Sequence, residues 1–293
     1  MIEAVVMGRV GIDLYPNELE TPLAEVRTFT RFVGGFAGNV ATGLARLGVR
    51  TAIVSRVGAE GHGEYVRSWL ANEGVDVRFL AVDPYWQTPP TFCEVWPPDR
   101  FPITFYRKPT APDWQLSPED FDQEDVAGAP LLYATGTGLA QSPSRETTLA
   151  AVRAHRGTTI FDLDWRPTLW NDPGEYPPLA AEAVVAADIV IGNEEEVEAA
   201  QVDAPTLVLK RGERGATVYE DGEETDVPGF PVEVVNGLGA GDAFAAAVGQ
   251  SLLAGLPLVE AVRRGTVAGA LVASQLACAE AMPRREELEA ALA

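Results

Sequence analysis

Short apolar runs alternate along this chain with longer segments whose apolar positions recur three and four residues apart. The runs at 4–7, 51–57, 131–135, 159–163, 188–192 and 206–210 have the length and continuous hydrophobicity of strands buried on both faces. Between the first two, residues 37–47 place Val40, Ala41, Leu44 and Leu47 on one helical face. Tyr65, Trp69 and Leu70 mark a second amphipathic segment, and Gly48 and Gly74 stand where left-handed helix ends would fall. A helix is expected near 145–155, and two more at 243–253 and 258–276, before a polar and weakly structured end. This βαβ rhythm implies a doubly wound α/β fold, a mostly parallel sheet with helices on both faces.

The rhythm breaks in two places. Residues 25–32 alternate loosely as an exposed strand would, and 91–96 and 103–107 read as a β-hairpin turned by the Pro-rich stretch between them. These segments, about 10–33 and 88–108, predict a small β-sheet lid standing off a single domain that spans 1–293. Residues 216–235 read as short antiparallel strands with turns at Asp221-Gly222 and Pro228-Gly229, so Val234 and Val235 are expected to end a buried strand.

Composition narrows the class. The chain has 43 acidic against 22 basic residues, a formal net charge of −21, which argues against nucleic acid or an anionic membrane as partner. Any phosphate site must therefore gather its cations locally. Cys93 and Cys278 are too few and too far apart for a disulfide framework or a zinc site, and a reducing cytoplasm fits. No signal-like leader precedes the first strand pattern, and the least polar later stretch, 265–279, is too short and too polar for a membrane span.

The chemistry gathers at Asn236-Gly237-Leu238-Gly239-Ala240-Gly241-Asp242. Bare amides of Gly239, Ala240 and Gly241 at a helix N-terminus would attract an anion. Asp242 beside them is either a helix cap or a base acting on something that approaches the anion. Other polar residues fall just past predicted strands: Asp13; Asp162, Asp164 and Arg166; Asn193 and Glu196; and Lys210, Gly212 and Gly215. In a doubly wound sheet that edge is where ligands bind. A dinucleotide fold is disfavoured, because residues 8–13 lack the third glycine and open no helix.

Two blocks in order, residues 34–41 with 44–48 and 56–58, then Gly239-Ala240-Gly241-Asp242-Ala243-Phe244, resemble the ribokinase-like (PfkB) carbohydrate kinase family, and Asn193-Glu194-Glu195-Glu196 matches its Asn-x-x-Glu motif. Residues 8–15, 101–107, 162–170 and 235–242 resemble the inositol-pathway branch, whose substrate is 5-dehydro-2-deoxygluconate. The 2-keto-3-deoxygluconate branch is the nearest rival. The resemblance implies ATP-dependent phosphorylation with Mg²⁺. Asp242 would be the base, Gly239, Ala240 and Gly241 the anion hole, and Arg166 a contact to substrate or transferred phosphate. Asp13, Gly34, Gly35 and Asn39 would bind the sugar, and Tyr106 and Arg107 on the lid would clasp its carboxylate. Asp164, Asn193, Lys210, Gly212 and Gly215 would serve the nucleotide, with Asn193 and Glu196 orienting Mg²⁺ through water. Asn236-Gly237 stands where many members carry Asp-Thr, which leaves a monovalent cation without its usual charged ligand. A homodimer through the lid is expected, since its edge strands are exposed. The alternative of another class is a non-catalytic sugar- or nucleotide-binding regulator.

Overall fold

The computed structural model describes residues 1–293. Its strands, in chain order, are β1 (Ala4–Met7), β2 (Gly11–Pro16), β3 (Phe29–Gly34), β4 (Thr51–Gly58), β5 (Leu80–Asp83), β6 (Pro90–Cys93), β7 (Ile103–Phe105), β8 (Leu131–Thr135), β9 (Thr158–Asp162), β10 (Ile189–Asn193), β11 (Leu207–Lys210), β12 (Ala216–Glu220) and β13 (Glu223–Val227). Nine of them form one sheet in the order β13-β12-β11-β10-β9-β8-β1-β4-β5. From β5 through β11 every pair is parallel, and β12 and β13 add an antiparallel edge. The other four form a separate sheet, β3-β2-β6-β7.

The α-helices are α1 (Phe36–Arg46), α2 (Gly61–Asn72), α3 (Gln123–Ala127), α4 (Ser144–Ala154), α5 (Tyr176–Val185), α6 (Glu194–Ala200), α7 (Ala240–Leu253), α8 (Leu258–Ala273) and α9 (Arg285–Leu292). None is long and apolar enough to cross a membrane. They cover both faces of the large sheet because its central strands are apolar on both. Val6, Ile53 and Tyr133 pack against Val40, Leu44, Phe244 and Val248, while Val5, Val54 and Leu132 pack against Leu149, Val152, Ala180 and Val184. Adjacent residues of β1 thus serve opposite cores, as the two-residue period of a strand requires.

The structure departs from the sequence reading in several places. Residues 228–235 form no strand. Pro228 and Pro231 have no N–H for a ladder, and the amides of Val235 and Asn236 both donate to the Ala273 carbonyl, at 2.8 and 3.1 Å. Asp13 lies inside β2, not in a turn after β1, and residues 25–28 precede β3 without strand structure. The polar C-terminal end is helical: Leu288 is fully buried, and Arg285 donates two hydrogen bonds to the Leu47 carbonyl at the end of α1, at 3.0 and 2.6 Å. Finally, β5 and α5 lie where no element was expected.

Helix α7 runs close across β8. The Tyr133 hydroxyl donates to the Ala245 carbonyl at 2.6 Å, and a Cβ at Gly249 would come within 2.8 Å of the Tyr133 ring. Gly249→Leu should therefore lift α7 from the sheet and destabilise the fold by about 1–3 kcal/mol. Urea denaturation should show a lower midpoint at unchanged slope; an unchanged midpoint would contradict this close docking.

Candidate active site

β1 is flanked by β4 on one side and β8 on the other, so the chain order reverses there and a crevice opens beyond the carboxyl ends of the strands. Arg9 leaves β1 at this point; Thr137 follows β8, Asp164 follows β9, and Asn193 and Lys210 end β10 and β11.

Helix α7 begins with Gly239 at φ 82°, a conformation that favours glycine, and a Cβ there would meet Cys278 Sγ at 2.9 Å. The amides of Gly239, Gly241 and Asp242 have no protein acceptor. Asp242 makes no capping hydrogen bond. Its half-buried carboxylate reaches sideways instead, and Asn39 Nδ2 of α1 donates to it at 2.6 Å. Burial, together with the Asp164 charge, raises the Asp242 pKa to about 6, although the Asn39 hydrogen bond, Arg9 and Lys210 oppose the shift. Asp242 is therefore not the helix cap that the sequence also allowed. A carboxylate that caps nothing, beside unpaired amides, is free to take a proton.

Behind it lies a buried ion network. Asp164 accepts from Thr137 Oγ1 at 2.6 Å and pairs with Arg166 at 3.3 Å and Arg9 at 3.6 Å. Burial alone would raise its pKa, but Arg166 and Arg9 outweigh it and hold the carboxyl below the usual range. Asn193 and Glu196 form a reciprocal capping box at the start of α6, each side chain accepting the other's amide hydrogen, at 2.8 and 2.9 Å. Glu196 also meets Arg166 at 3.2 Å and Lys210 at 3.8 Å. Lys210 pairs with Asp162 at 3.1 Å, yet burial still lifts the Asp162 pKa to about 7.

The small sheet stands over the other side of Asp242. Asp13 is buried, and burial together with the nearby Asp242 charge lifts its pKa to about 7 against the pull of Arg9 and Thr91. Gly34 lies opposite Gly11 across β2 and β3, and a Cβ on it would overlap the Asp13 carboxyl group. Gly35 begins α1. On the same inner face the Tyr15 hydroxyl lies 2.7 Å from Cys278 Sγ, which backs Gly239.

Two lid expectations are revised. Pairing of Asp13 with Thr91 and of Thr91 with Phe105 puts Phe105 on the inner face, so Tyr106 falls on the outer one. There Tyr106 is 59% exposed and meets Phe92 edge-on at 5.3 Å. Arg107 is not a free lid cation: it is buried, ion-paired to Asp113 and stacked on Trp114 at 4.4 Å.

A cavity of about 980 Å³ lies on the far side of the α7 N-terminus. Lys210, Gly212, Gly215, Ala240 and Gly241 line it, opposite Thr266 and Gly269 of α8. Asp164 and Asn193 do not; the first belongs to the buried ion network and the second to its capping box.

Residues 1–285 match the family described as pfkB family carbohydrate kinase. The chain belongs to that family. This pfkB-family chain is 33% identical to a 5-dehydro-2-deoxygluconokinase of Clostridium tetani, over 98% of its own length and 92% of the relative's. A Bacillus subtilis protein of the same name is 32% identical over 98% of the chain and 94% of the relative. Among solved structures, a sugar kinase of Pyrococcus horikoshii in complex with ATP superposes with a TM-score of 0.88, at 29% identity, covering 97% of this chain and 96% of that one. A Vibrio cholerae fructokinase with fructose, ADP and calcium bound gives 0.87 at 28% identity, covering 100% and 99%.

Sequence reading missed three participants of this kinase's site. Arg9, Thr137 and Asp113 lie in loops or a short turn, where no periodicity marks them. Only the position of Arg9 directly after β1 could have signalled it.

Because the Asn39 hydrogen bond favours the charged form of Asp242, Asn39→Ala should raise the Asp242 pKa. In the native enzyme the acid limb of the kcat/KM profile for the phosphate acceptor should fall as pH drops through about 6–7, where Asp242 and Asp13 take up protons. The variant's limb should move to higher pH. An unmoved limb would separate Asn39 from the base.

Proposed function

We propose that this carbohydrate kinase transfers the γ-phosphoryl group of ATP to 5-dehydro-2-deoxy-D-gluconate, giving the 6-phosphate. The observation that carries the mechanism is the uncapped Asp242 carboxylate beside unpaired helix amides. The names of the relatives at 32–34% identity support the substrate.

ATP lies in the 980 Å³ cavity with its base toward α8 and its phosphates toward Gly241. Lys210, whose Nζ would lie 3.7 Å from a Cβ on Gly241, adds positive charge where the phosphates meet the helix. The sugar binds between the lid and α1. Asp13 and Asn39 take its hydroxyls, and Gly34 and Gly35 let the backbone approach. Asn39 Oδ1 is buried and unbonded, an acceptor suited to a hydroxyl donor. Asp242 removes the proton as the hydroxyl oxygen attacks, and the amides of Gly239 and Gly241 hold the transferring phosphoryl oxygens. The Ala240 amide, expected to join them, already donates to the Gly237 carbonyl at 3.4 Å. Positioning and charge neutralisation supply most of the acceleration. Arg166, held by Asp164 and Glu196, would balance charge developing on the phosphoryl group.

The residues fit Mg²⁺ only through water. Both Glu196 oxygens already meet protein donors, and Asn193 Oδ1 accepts the Glu196 amide. Bound with the nucleotide, the ion would screen phosphate charge. Potassium is not part of the proposal: Asn236 donates to the Leu276 carbonyl at 2.6 Å and accepts from the Leu238 amide at 3.1 Å, so its side chain serves the turn.

Asp242→Asn should lower kcat by at least about 100-fold while ATP still binds. A coupled assay of the native enzyme with 5-dehydro-2-deoxygluconate, 2-keto-3-deoxygluconate, fructose and ribose tests the substrate; preference for any other of the four would overturn it. We also propose a dimer through the lids, supported by the aromatic row Phe29–Phe92–Tyr106 on their outer face. Sedimentation at twice the 31.3 kDa chain mass is expected, and a monomer would refute it.

A further inference from the structure

Arg9 is the one inward-facing cation of the site without a hydrogen bond. Its side chain is 11% exposed, its only charged partner is Asp164 at 3.6 Å, and its buried Nε has no acceptor. That partner is shared, since Asp164 also pairs with Arg166 and accepts from Thr137. The neighbouring guanidiniums each make hydrogen bonds: Arg107 bonds Asp113, although its Nε also lacks an acceptor, and Arg166 donates to the Trp165 carbonyl and Glu196. A guanidinium so far out of water is costly without acceptors for its five donors.

Its place suits a ligand. Arg9 stands at the switch point beyond β1, under the lid residue Phe105, whose ring centre is 5.5 Å away. Its charge acts on both Asp13 and Asp242. An anion at Arg9 would thus fall within one small molecule's reach of the carboxylate that takes the hydroxyl proton. The planar fork of an arginine matches a carboxylate in particular.

We propose that Arg9 receives the substrate's carboxylate and sets the preference for a sugar acid over a neutral sugar. This rests on the sugar-acid reading above, and it moves the clamp from Arg107, whose charge is spent on Asp113. The substrate then spans the crevice, with its carboxylate on Arg9 and its reacting hydroxyl at Asp242. Substrate binding supplies the acceptors that Arg9 lacks.

The test compares native enzyme, Arg9→Gln and Arg9→Lys on 5-dehydro-2-deoxygluconate and fructose. Arg9→Gln should raise KM for the acid roughly 10–100-fold, the scale of losing a charge-assisted hydrogen bond, and erase the preference over fructose. Stabilisation by ATP in a thermal melt should persist, which shows that the variant is folded. Arg9→Lys, which keeps the charge without the fork, should show a smaller rise. Should Arg9→Gln not fold, native acid kinetics in Arg9→Lys would overturn the proposal. So would an Arg9→Gln enzyme that keeps the native preference, or one whose loss falls on KM for ATP. A native enzyme that turns over fructose and not the acid removes the sugar-acid reading itself. A native acid preference left intact by Arg9→Gln removes only the role of Arg9.

Discussion

Charge compensation at one edge of the sheet governs this structure. Asp13, Asp162, Asp164, Glu196 and Asp242 converge there, and burying carboxylates is costly unless cations or hydrogen-bond donors accompany them. Arg9, Arg166 and Lys210 supply the cations, drawn from the ends of three different strands. The match is incomplete. Asp13 and Asp242 have donors but no cation in contact, and their carboxyls are pushed up to about 7 and about 6. The pair left under-compensated is the pair proposed to face the sugar, where a base would take up a proton. With a net charge of −21, this edge cannot borrow positive potential from the rest of the surface.

The same economy ties the lid to the main sheet. Asp113 accepts from the Val10 amide at 2.9 Å and pairs with Arg107, so one carboxylate fixes both the exit from β1 and the end of the lid hairpin. Asp13 nests against Gly34, and Tyr15 rests on Cys278, which backs Gly239. Through these contacts the lid's inner face reaches the turn that opens α7.

The alternation of apolar runs carried the main sheet, most helices and the lid, because burial on two faces leaves a local signature in each strand. The candidate positions Asn39, Lys210, Gly241 and Asp242 were legible because each sits at a strand end or in the first turn of a helix, and Asp13 was noticed for the same reason although it lies inside β2. Val234 and Val235 misled, since apolar β-branched residues can serve a loop as readily as a strand: Val234 lines the cavity, and the Val235 amide is held by the Ala273 carbonyl of α8. The C-terminal helix was invisible, because its anchor is the distant Leu47 carbonyl and not its own pattern.

The sequence by itself determined the layer architecture, the Gly-rich helix start and the kinase family, all properties of short stretches with a period or a motif. Only the tertiary structure decided how charges were spent. Arg107 was drawn into Asp113, Tyr106 turned to the outer face by strand register, Asp242 directed to Asn39 and not to its own helix, and Arg9 left without acceptors. The reason is physical: a side chain's charge and direction depend on the partners the fold brings to it, Asn39 to Asp242 from 203 residues away and Asp113 to Arg107 from six, and no periodic pattern records either pairing.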